Sequence, residues 1–211
     1  MKLTVFGATG GTGIQVVRQA CAAGHDVTAV VRDPARLSLK SPTLQVVQAD
    51  VMDPAAIAAA VSGRDAVVSA IGPREGRAPT SVCADSARAI IAAMQQQGTT
   101  RLVVVSNSGM HVDDQDGAFV RAVVKPLLGR YLKHAYADMR RMEELVEASA
   151  LDWTIMRPPR LTNAAATGSY RTARNKNVRG GSVIARADLA AGILAALTDD
   201  GTVRAAVSIA R

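Results

Sequence analysis

Short, mainly apolar runs alternate along the chain with longer, alanine-rich segments in which apolar residues recur at helical spacing. Within most of these runs the apolar residues follow one another directly, without the alternation of a strand that has one face in water. Strands with unbroken apolar runs are covered on both faces, as in a parallel sheet. The pattern predicts strands at residues 3–6, 27–31, 44–47, 66–70, 102–105, 153–156 and 203–209.

The segments between these strands predict helices that cover the sheet. Asp53 and Pro54 stand where one helix begins, and Gly24 and Gly98 stand where two helices end. The predicted helices span residues 12–23, 54–61, 82–97, 131–149 and 188–197. Repeated strand–helix units over 211 residues, without a linker, repeat or low-complexity tract, predict a single-domain α/β protein. Its expected architecture is a Rossmann-type, doubly wound parallel sheet.

A glycine-rich loop follows the first predicted strand, in the sequence MKLTVFGATGGTG. Its glycines form the motif G-x-x-G-x-x-G between a strand and a helix, which is the context in which such motifs bind dinucleotides. Gly7 permits a tight turn, Gly10 permits close approach to a pyrophosphate, and Gly13 permits close packing of helix on strand. Free N–H groups between Thr12 and Ile14 then face the phosphates from the positive end of the helix.

The end of the second predicted strand bears on the choice of cofactor. Proteins that bind NAD(H) commonly place a carboxylate there for the ribose hydroxyls. This chain has Arg32 at that point, followed by Asp33, and Arg36 is near enough for a second contact. Because a guanidinium pairs with the 2′-phosphate of NADP(H) and a carboxylate repels it, the sequence predicts NADP(H) in preference to NAD(H).

Six segments of the chain resemble the atypical short-chain dehydrogenase/reductases, specifically the NAD(P)H-binding, NmrA-like group that includes flavin and biliverdin reductases. They are GATGGTG at 7–13, VVRDPARL at 30–37, QADVMDP at 48–54, VVSAIGP at 67–73, VVVSNSG at 103–109 and ASALDWTIMRPPRLT at 148–162. The resemblance covers essentially the whole chain and implies one NAD(P)-binding domain over residues 1–211. The loops around 72–82, 107–130 and 157–187 are then expected to form most of the substrate side.

The glycine loop and the resemblance together indicate which residues contact the cofactor. The family pattern implies adenine contacts from 50–51, ribose and pyrophosphate contacts from 70–72, and nicotinamide contacts from 106–108 and 157–159. The expected cofactor-binding residues are Gly7, Thr9, Gly10, Thr12, Gly13, Ile14, Arg32, Asp50, Val51, Ala70, Ile71, Gly72, Ser106, Asn107 and Pro158.

The chain departs from the alcohol dehydrogenases of this superfamily at their Tyr-x-x-x-Lys pair. Tyr136 and Arg140 have that spacing without the lysine, and counting back from the RPP segment puts Ala135 and Met139 at the two positions. An activated tyrosine that reduces carbonyls is therefore not expected. The chemistry that remains is hydride transfer to a conjugated acceptor that spreads the incoming charge, such as a flavin, a quinone or a linear tetrapyrrole. A flavin would be a substrate and not a prosthetic group.

Two residues in the loop after the fifth predicted strand are candidate catalytic groups. Ser108 corresponds to the active-site serine that the flavin and biliverdin reductase resemblance implies, and the alternative is a hydroxyl that forms a turn. His111 is a candidate proton donor near neutral pH, and the alternative is a solvated loop histidine. Tyr131 and His134 are interpreted as surface residues.

Residues 153–187 contain seven basic residues and no acidic one. This stretch is either a solvated surface or the wall of a pocket for an anionic substrate. Arg160 and Arg174 are the candidate substrate-binding residues, and Arg171, Arg174 and Lys176 are expected in a lid over the pocket. The resemblance implies a histidine where this chain has Arg160. Because arginine does not donate a proton at ordinary pH, this departure argues against tetrapyrrole specificity.

Composition narrows the partners and the cellular setting. The net charge of +7 permits nucleic-acid binding, but aromatic residues make up only 3% and no recognition motif is present, so no nucleic acid is expected. No apolar run reaches the ~18 residues of a membrane span, and we expect neither a cleaved leader nor a membrane partner. Cys21 and Cys83 lack metal-ligand spacing, which predicts reduced thiols, no metal site and a cytoplasmic protein.

Three functions remain open from the sequence. The leading hypothesis is an oxidoreductase, an NADPH-dependent reductase of a small, conjugated and anionic acceptor. The second is an NmrA-like regulator that senses NADP(H) without catalysis, and the third is an epimerase or dehydratase of secondary metabolism. The expected assembly is a monomer or a homodimer.

Overall fold

The computed structural model describes residues 1–73 and 78–211, whose strands form one eight-stranded and one two-stranded sheet. The large sheet has the order β3-β2-β1-β4-β5-β6-β10-β8 and is parallel, except that β8 runs antiparallel to β10. The small sheet pairs β7 with β9. The strands are β1 Lys2–Phe6, β2 Asp26–Val31, β3 Leu44–Gln48, β4 Ala66–Ser69, β5 Arg101–Val105, β6 Asp152–Arg157, β7 Arg160–Thr162, β8 Arg171–Arg174, β9 Val183–Ala185 and β10 Ala205–Ala210.

Helices cover both faces of the large sheet, which confirms the predicted doubly wound α/β domain. They are α1 Gly11–Ala22, α2 Pro54–Val61, α3 Val82–Gln97, α4 Lys125–Tyr131, α5 Lys133–Glu147 and α6 Arg186–Leu197. On one face α1 packs against α6, and on the other α3 packs against α2 and α5. The strand order reverses between β1 and β4, and this reversal opens a crevice at the carboxyl edge of the sheet.

The helices on both faces of the large sheet explain why its strands are unbroken apolar runs. Leu3 and Val5 of β1 belong to the core under α1 and α6, whereas Phe6 belongs to the core under α2 and α3. In β5, Val103 faces the first core and Val104 faces the second. Successive residues of a strand point to opposite faces, so a strand buried on both sides needs apolar residues throughout.

The start of α3 is stabilised by a carboxylate from a neighbouring helix. The residue before the helix, Ser81, makes no capping hydrogen bond with its side chain. Asp138 of α5 takes that role: its carboxylate accepts hydrogen bonds from the N–H groups of Cys83 at 3.0 Å and Ala84 at 2.9 Å. Asp138 is only 4% exposed, so this contact fixes α5 against α3 in the core.

One helical segment was missed by the sequence pattern. A π-helical turn at Val120–Val124 leads into α4, where the sequence predicted a loop. Pro126 and Gly129 disfavour a helix by propensity. However, Pro126 lies in the first turn of α4, where a missing N–H is tolerated. The helix predicted over residues 131–149 accordingly begins later, at Lys133.

The strands β7, β8 and β9 were also missed, since they hold only three or four residues each. The last predicted strand, 203–209, begins at Ala205 instead. A short 3₁₀ turn at Asp200–Thr202 precedes it, and Arg204 has a φ of 52°, outside the range of a strand. The sheet is parallel as predicted, except at its edge, where the unpredicted strand β8 pairs in antiparallel register with β10.

Residues 1–73 and 78–211 include no helix that is long and apolar enough to cross a bilayer. Within the same ranges, no three His, Cys, Asp or Glu side chains are grouped in a way that could hold a metal ion. Cys21 and Cys83 are free. Burial raises the pKa of the Cys83 thiol, and the nearby charge of Asp138 raises it further. Cys83 therefore packs in the core as a neutral thiol.

Candidate functional site

The glycine loop after β1 is packed so closely that side chains would obstruct it. Gly7 has a φ of +75°, and a Cβ there would lie 2.7 Å from the carbonyl group of Ala70. A Cβ at Gly13 would lie 2.1 Å from the carbonyl oxygen of Gly7, so α1 rests directly on the turn. The Gly10 N–H donates to that same oxygen at 2.9 Å. The first turn of α1 contains no acidic residue, which leaves its positive end able to bind phosphate.

A cavity of about 490 Å³ opens beside this loop at the carboxyl edge of the sheet. We call it the cofactor cavity. Its volume lies within the range of about 300–1,000 Å³ typical of small-molecule and cofactor sites. The glycine loop, the ends of β2 and β4 and the residues after β3 form its wall. Nine of the predicted cofactor-binding residues line it: Gly7, Thr9, Gly10, Arg32, Asp50, Val51, Ala70, Ile71 and Gly72.

At the end of β2 the cofactor cavity is lined by guanidinium groups. Arg32 and Arg36 both line it. Asp33 is occupied elsewhere, because its carboxylate accepts the N–H of Ala35 at 3.0 Å and so begins the turn Pro34–Arg36. The arrangement at this point suits a phosphate better than a ribose hydroxyl pair.

The other predicted cofactor residues lie behind the wall or in the neighbouring cavity. Thr12 and Gly13 are buried in the first turn of α1, and Ile14 packs against the core. Ser106 is 3% exposed, and Pro158 is buried with its carbonyl accepting the N–H of Ser108 at 2.9 Å. Asn107 lines the second cavity described below.

Part of the wall was not predicted from the sequence. Met52 follows β3, Thr80 precedes α3, and Ala135 lies in the first turn of α5, yet all three line the cofactor cavity. They come from three separate parts of the chain. Met52 lies in the QADVMDP segment and Thr80 in the predicted loop around 72–82, but neither was predicted as a cofactor contact. Ala135 was noted only as the position that the tyrosine count reaches. Residues 74–77 of the predicted substrate loop around 72–82 lie outside the described residues.

A second cavity, also of about 490 Å³, lies on the other side of the start of α5. Ala135 lines the cofactor cavity and Tyr136 lines the second cavity, so adjacent residues of one helix separate the two. The loops predicted around 107–130 and 157–187 both contribute to the second wall, together with the end of β10. The apolar part of this wall consists of Val120, Val124, Leu128, Leu132, Pro159, Val178, Ile209 and Ala210.

Ser108 and Tyr136 bring two hydroxyl groups to the second cavity. A Cβ on Gly109 would lie 2.6 Å from the Tyr136 hydroxyl oxygen, which places that hydroxyl against the turn Ser108–Met110. Burial raises the pKa of Tyr136, and the charge of Arg140 opposes this only in part. The tyrosine therefore stays protonated at neutral pH and is a donor, not an activated base. The count from the RPP segment had placed Tyr136 one residue away from the family's tyrosine position. The structure nevertheless has Tyr136 in the wall of the second cavity.

His111 faces a buried carboxylate and does not line either cavity. Its Nε2 lies 3.0 Å from Glu143, and Arg157 donates to the same carboxylate at 2.6 Å and 3.0 Å. Burial alone would raise the pKa of Glu143, but the hydrogen bonds from His111 and Arg157 hold it below its ordinary value. His111 therefore helps to hold the Glu143 carboxylate that pairs with Arg157. Because His111 lines neither cavity, its position does not support the predicted role as proton donor.

A buried ion pair that the sequence did not indicate lies at the second cavity. Lys125 and Asp116 both line the cavity, and their side chains are 8% and 9% exposed. Lys125 Nζ donates to the Asp116 carboxylate at 2.5 Å and 2.6 Å and also to the carbonyl of His111. Asn177 donates its Nδ2 hydrogens to the same carbonyl at 3.0 Å and to Asp116 at 3.2 Å. These contacts join the loop after β5, α4 and the loop after β8.

The basic stretch 153–187 reaches the second cavity mainly through Arg160. Arg157 also lines it but is paired with Glu143. Arg174 does not line either cavity, because it lies on β8 opposite Val207 of β10. The predicted lid over residues 171–176 is therefore largely an edge strand. Among the described residues that line the second cavity, Arg160 is the cation that has no carboxylate partner.

Comparison with known proteins shows which family the chain belongs to. A family model described as NAD(P)H-binding matches residues 7–200, from the glycine loop to just beyond the end of α6. The chain belongs to this NAD(P)H-binding family. Its membership confirms the resemblance to the atypical short-chain dehydrogenase/reductases that the sequence motifs predicted.

Similar proteins cover nearly the whole chain. The uncharacterized protein YwnB of Bacillus subtilis is 29% identical over 200 residues, which are 92% of this chain and 91% of YwnB. The uncharacterized sugar epimerase YhfK of the same organism is 31% identical over 208 residues, which are 96% of this chain and 90% of YhfK. A short-chain dehydrogenase/reductase of Veillonella parvula, solved with NADP, shares the fold at 16% identity with a TM-score of 0.82, covering 100% of this chain and 94% of its own.

Proposed function

We propose that the protein is an NADPH-dependent reductase that delivers a hydride to a conjugated, anionic acceptor bound in the second cavity. The observation that carries this proposal is that Ala135 and Tyr136 of α5 place the cofactor cavity and the second cavity side by side. NADPH supplies the hydride when it is bound. A flavin or a quinone, acting as substrate, has the flat conjugated system that accepts one.

The preference for NADP(H) over NAD(H) is supported by Arg32 and Arg36 at the end of β2. The residues present fit such a cofactor, since the glycine loop lines the cofactor cavity and the first turn of α1 carries no acidic residue that would repel a phosphate. The NADP complex of the Veillonella protein, which shares the fold, supports a nicotinamide cofactor.

The chain's own residues bind and orient the acceptor. The apolar wall, with Val120, Leu128 and Ile209, excludes water and packs against a planar ring system. Ser108 and the protonated Tyr136 donate hydrogen bonds to the acceptor atom on which charge develops. An epimerase or dehydratase requires a base here, and the raised pKa of Tyr136 does not favour that alternative.

Oxidation of NADPH by the purified protein in the presence of FMN, a quinone or a dye tests this function. Gly10→Val serves as the control that removes cofactor binding, because Gly10 lines the cofactor cavity and its Cβ would already lie 3.2 Å from the carbonyl oxygen of Gly7. Ser108→Ala should lower turnover by less than about a hundredfold, since water shares the proton donation when the acceptor spreads charge. A protein that binds NADPH but oxidises it with none of these acceptors would instead favour a cofactor-sensing regulator.

A further inference from the structure

Arg186 lies over the glycine loop in the space where a side chain at residue 11 would otherwise project. A Cβ at Gly11 would lie 2.7 Å from both Cδ and Nε of Arg186 and 3.4 Å from its Cζ. Gly11 is the first residue of α1 and Arg186 is the first residue of α6. A guanidinium group therefore lies beside the N–H groups that begin α1.

The position of Arg186 is held by contacts on both sides. Its Nη1 donates to Oδ1 of Asn163 at 2.7 Å. The next residue, Ala187, accepts a hydrogen bond through its carbonyl from Gln19 of α1 at 2.8 Å. The packing of α6 against α1 thus keeps the arginine at the glycine loop.

The electrostatics of this arrangement indicate a negatively charged ligand. The start of a helix carries a partial positive charge, and a neighbouring cation is unfavourable there. The first turn of α1 has no acidic residue, and its N-cap, Gly10, has no side chain that could compensate. Within residues 1–73 and 78–211, Arg186 forms no ion pair, and its side-chain partner is the neutral amide of Asn163. A bound anion would satisfy both positive groups.

We propose that Arg186 binds the pyrophosphate of the dinucleotide from the outer side of the glycine loop, and that Gly11 is small to make room for it. The pyrophosphate is the partner because Gly11 directly follows Gly10 at the start of α1. The 2′-phosphate is assigned instead to Arg32 and Arg36, at the end of β2. This proposal rests on cofactor binding and does not depend on the reductase activity proposed above.

Two fragments of the cofactor separate the two phosphate sites: ADP has the diphosphate without a 2′-phosphate, and 2′-AMP has the 2′-phosphate without a diphosphate. By isothermal titration calorimetry, we expect Arg186→Gln to weaken ADP binding about tenfold, the value of one lost charge-assisted hydrogen bond, and to leave 2′-AMP binding unchanged. Arg32→Gln should weaken 2′-AMP binding and leave ADP binding unchanged. The assignment would be overturned if Arg186→Gln bound ADP as tightly as the wild type does. It would also be overturned if this variant bound 2′-AMP more weakly and ADP normally.

Thermal unfolding without ligand separates a phosphate contact from a structural role. Since Arg186→Gln removes a cation from the positive end of α1, the Tm of the ligand-free protein should be unchanged or higher. Gly11→Ala should weaken ADP binding in the wild type, because the new methyl group displaces Arg186, but should have no further effect in Arg186→Gln. A lower Tm of ligand-free Arg186→Gln, or independent effects of the two substitutions, would contradict the proposal. None of these measurements requires turnover, so they stand even if the protein is not a reductase.

Discussion

Arg32 determines the electrostatics of the cofactor cavity at the end of β2, because Asp33 is occupied in capping the turn that follows. We expect the wild-type protein to bind NADPH tighter than NADH by about tenfold or more, the value of one charge-assisted contact of roughly 1.5–3 kcal/mol. Arg32→Ala should remove most of this difference by weakening NADPH alone. Fluorescence titration of both cofactors checks this, with Arg174→Ala on the edge strand as a control. Equal affinities in the wild type would contradict the prediction.

Glu143 should make stability depend on pH in the acid range. Its pKa is held below the ordinary value of 4.5, since hydrogen bonds from His111 and Arg157 outweigh the effect of burial. Its stabilising contribution is therefore complete above that ordinary value and is lost as the pH falls through the lowered one. Glu143→Gln should lower the free energy of unfolding at neutral pH by about 3 kcal/mol, because it leaves the largely buried Arg157 with only the exposed Glu147 carboxylate, 3.8 Å away, as a charged partner.

Urea denaturation of Glu143→Gln and the wild type over a series of pH values measures this effect. The difference in the free energy of unfolding between the wild type and Glu143→Gln should be constant above about pH 5. It should become smaller as the pH falls below about 4. Glu144→Gln is a matched control, since Glu144 pairs with Arg141 on the surface, where both side chains are more than 60% exposed. That change should cost less than about 0.5 kcal/mol. A difference that stays the same down to low pH would show that the carboxylate charge of Glu143 is unimportant.

Residues in local motifs could be predicted from the sequence, and residues brought together over long distances could not. The roles of Gly7 and Gly13 follow from their spacing within a strand–turn–helix unit, and the structure has both in close contact with neighbouring backbone. Lys125, by contrast, meets Asp116 and Asn177 only because α4 and the loop after β8 converge at the second cavity. Tyr136 was set aside by counting back from the RPP segment, and such a count does not show which side chains of α5 face the second cavity.

At the scale of elements, α3 depends on a cap that another helix provides. Asp138→Ala removes the acceptor of the Cys83 and Ala84 N–H groups and should lower the free energy of unfolding by about 2 kcal/mol, at the upper end for a lost cap because the site is buried. Chemical denaturation provides the measurement. Asp85→Asn in the first turn of the same helix is the control, since Asp85 forms an exposed pair with Arg88 and should contribute less than about 0.5 kcal/mol. Equal losses in the two variants would refute the capping role.

The elements that were predicted correctly are those whose hydrophobic pattern is long enough to be distinctive. The helix Pro54–Val61 and the helix Val82–Gln97 have the predicted bounds. The first has a clear start signal in Asp53 and Pro54, and the second has a clear stop signal in Gly98. The edge strand β8 could not be recognised, because its sequence RTAR is polar and short and pairs on one side only, with β10. Its stability comes from that pairing and not from its own composition.

At the scale of the whole molecule, the net charge of +7 attracts anions. Where an anion binds specifically depends on which basic side chains lack a carboxylate partner. At the second cavity, Asp116 neutralises Lys125 and Glu143 neutralises Arg157. Arg160 remains as the described lining cation without a carboxylate partner. An anionic acceptor should therefore respond to this one residue and to salt, whereas a neutral acceptor should respond to neither.

We accordingly expect a lower KM for FMN than for uncharged lumiflavin, because the two share the ring system and differ in the phosphate. Arg160→Ala should raise the KM for FMN about tenfold, the value of one charge-assisted contact, and leave that for lumiflavin unchanged. Added salt should raise the KM for FMN in the wild type, since the screening length falls to about 8 Å at an ionic strength of about 0.15 M. Arg174→Ala removes the same charge from β8, away from the cavity, and should alter neither KM. If FMN and lumiflavin respond alike to Arg160→Ala and to salt, the basic residues are only a solvated surface, and the acceptor is a neutral molecule that binds through the apolar wall.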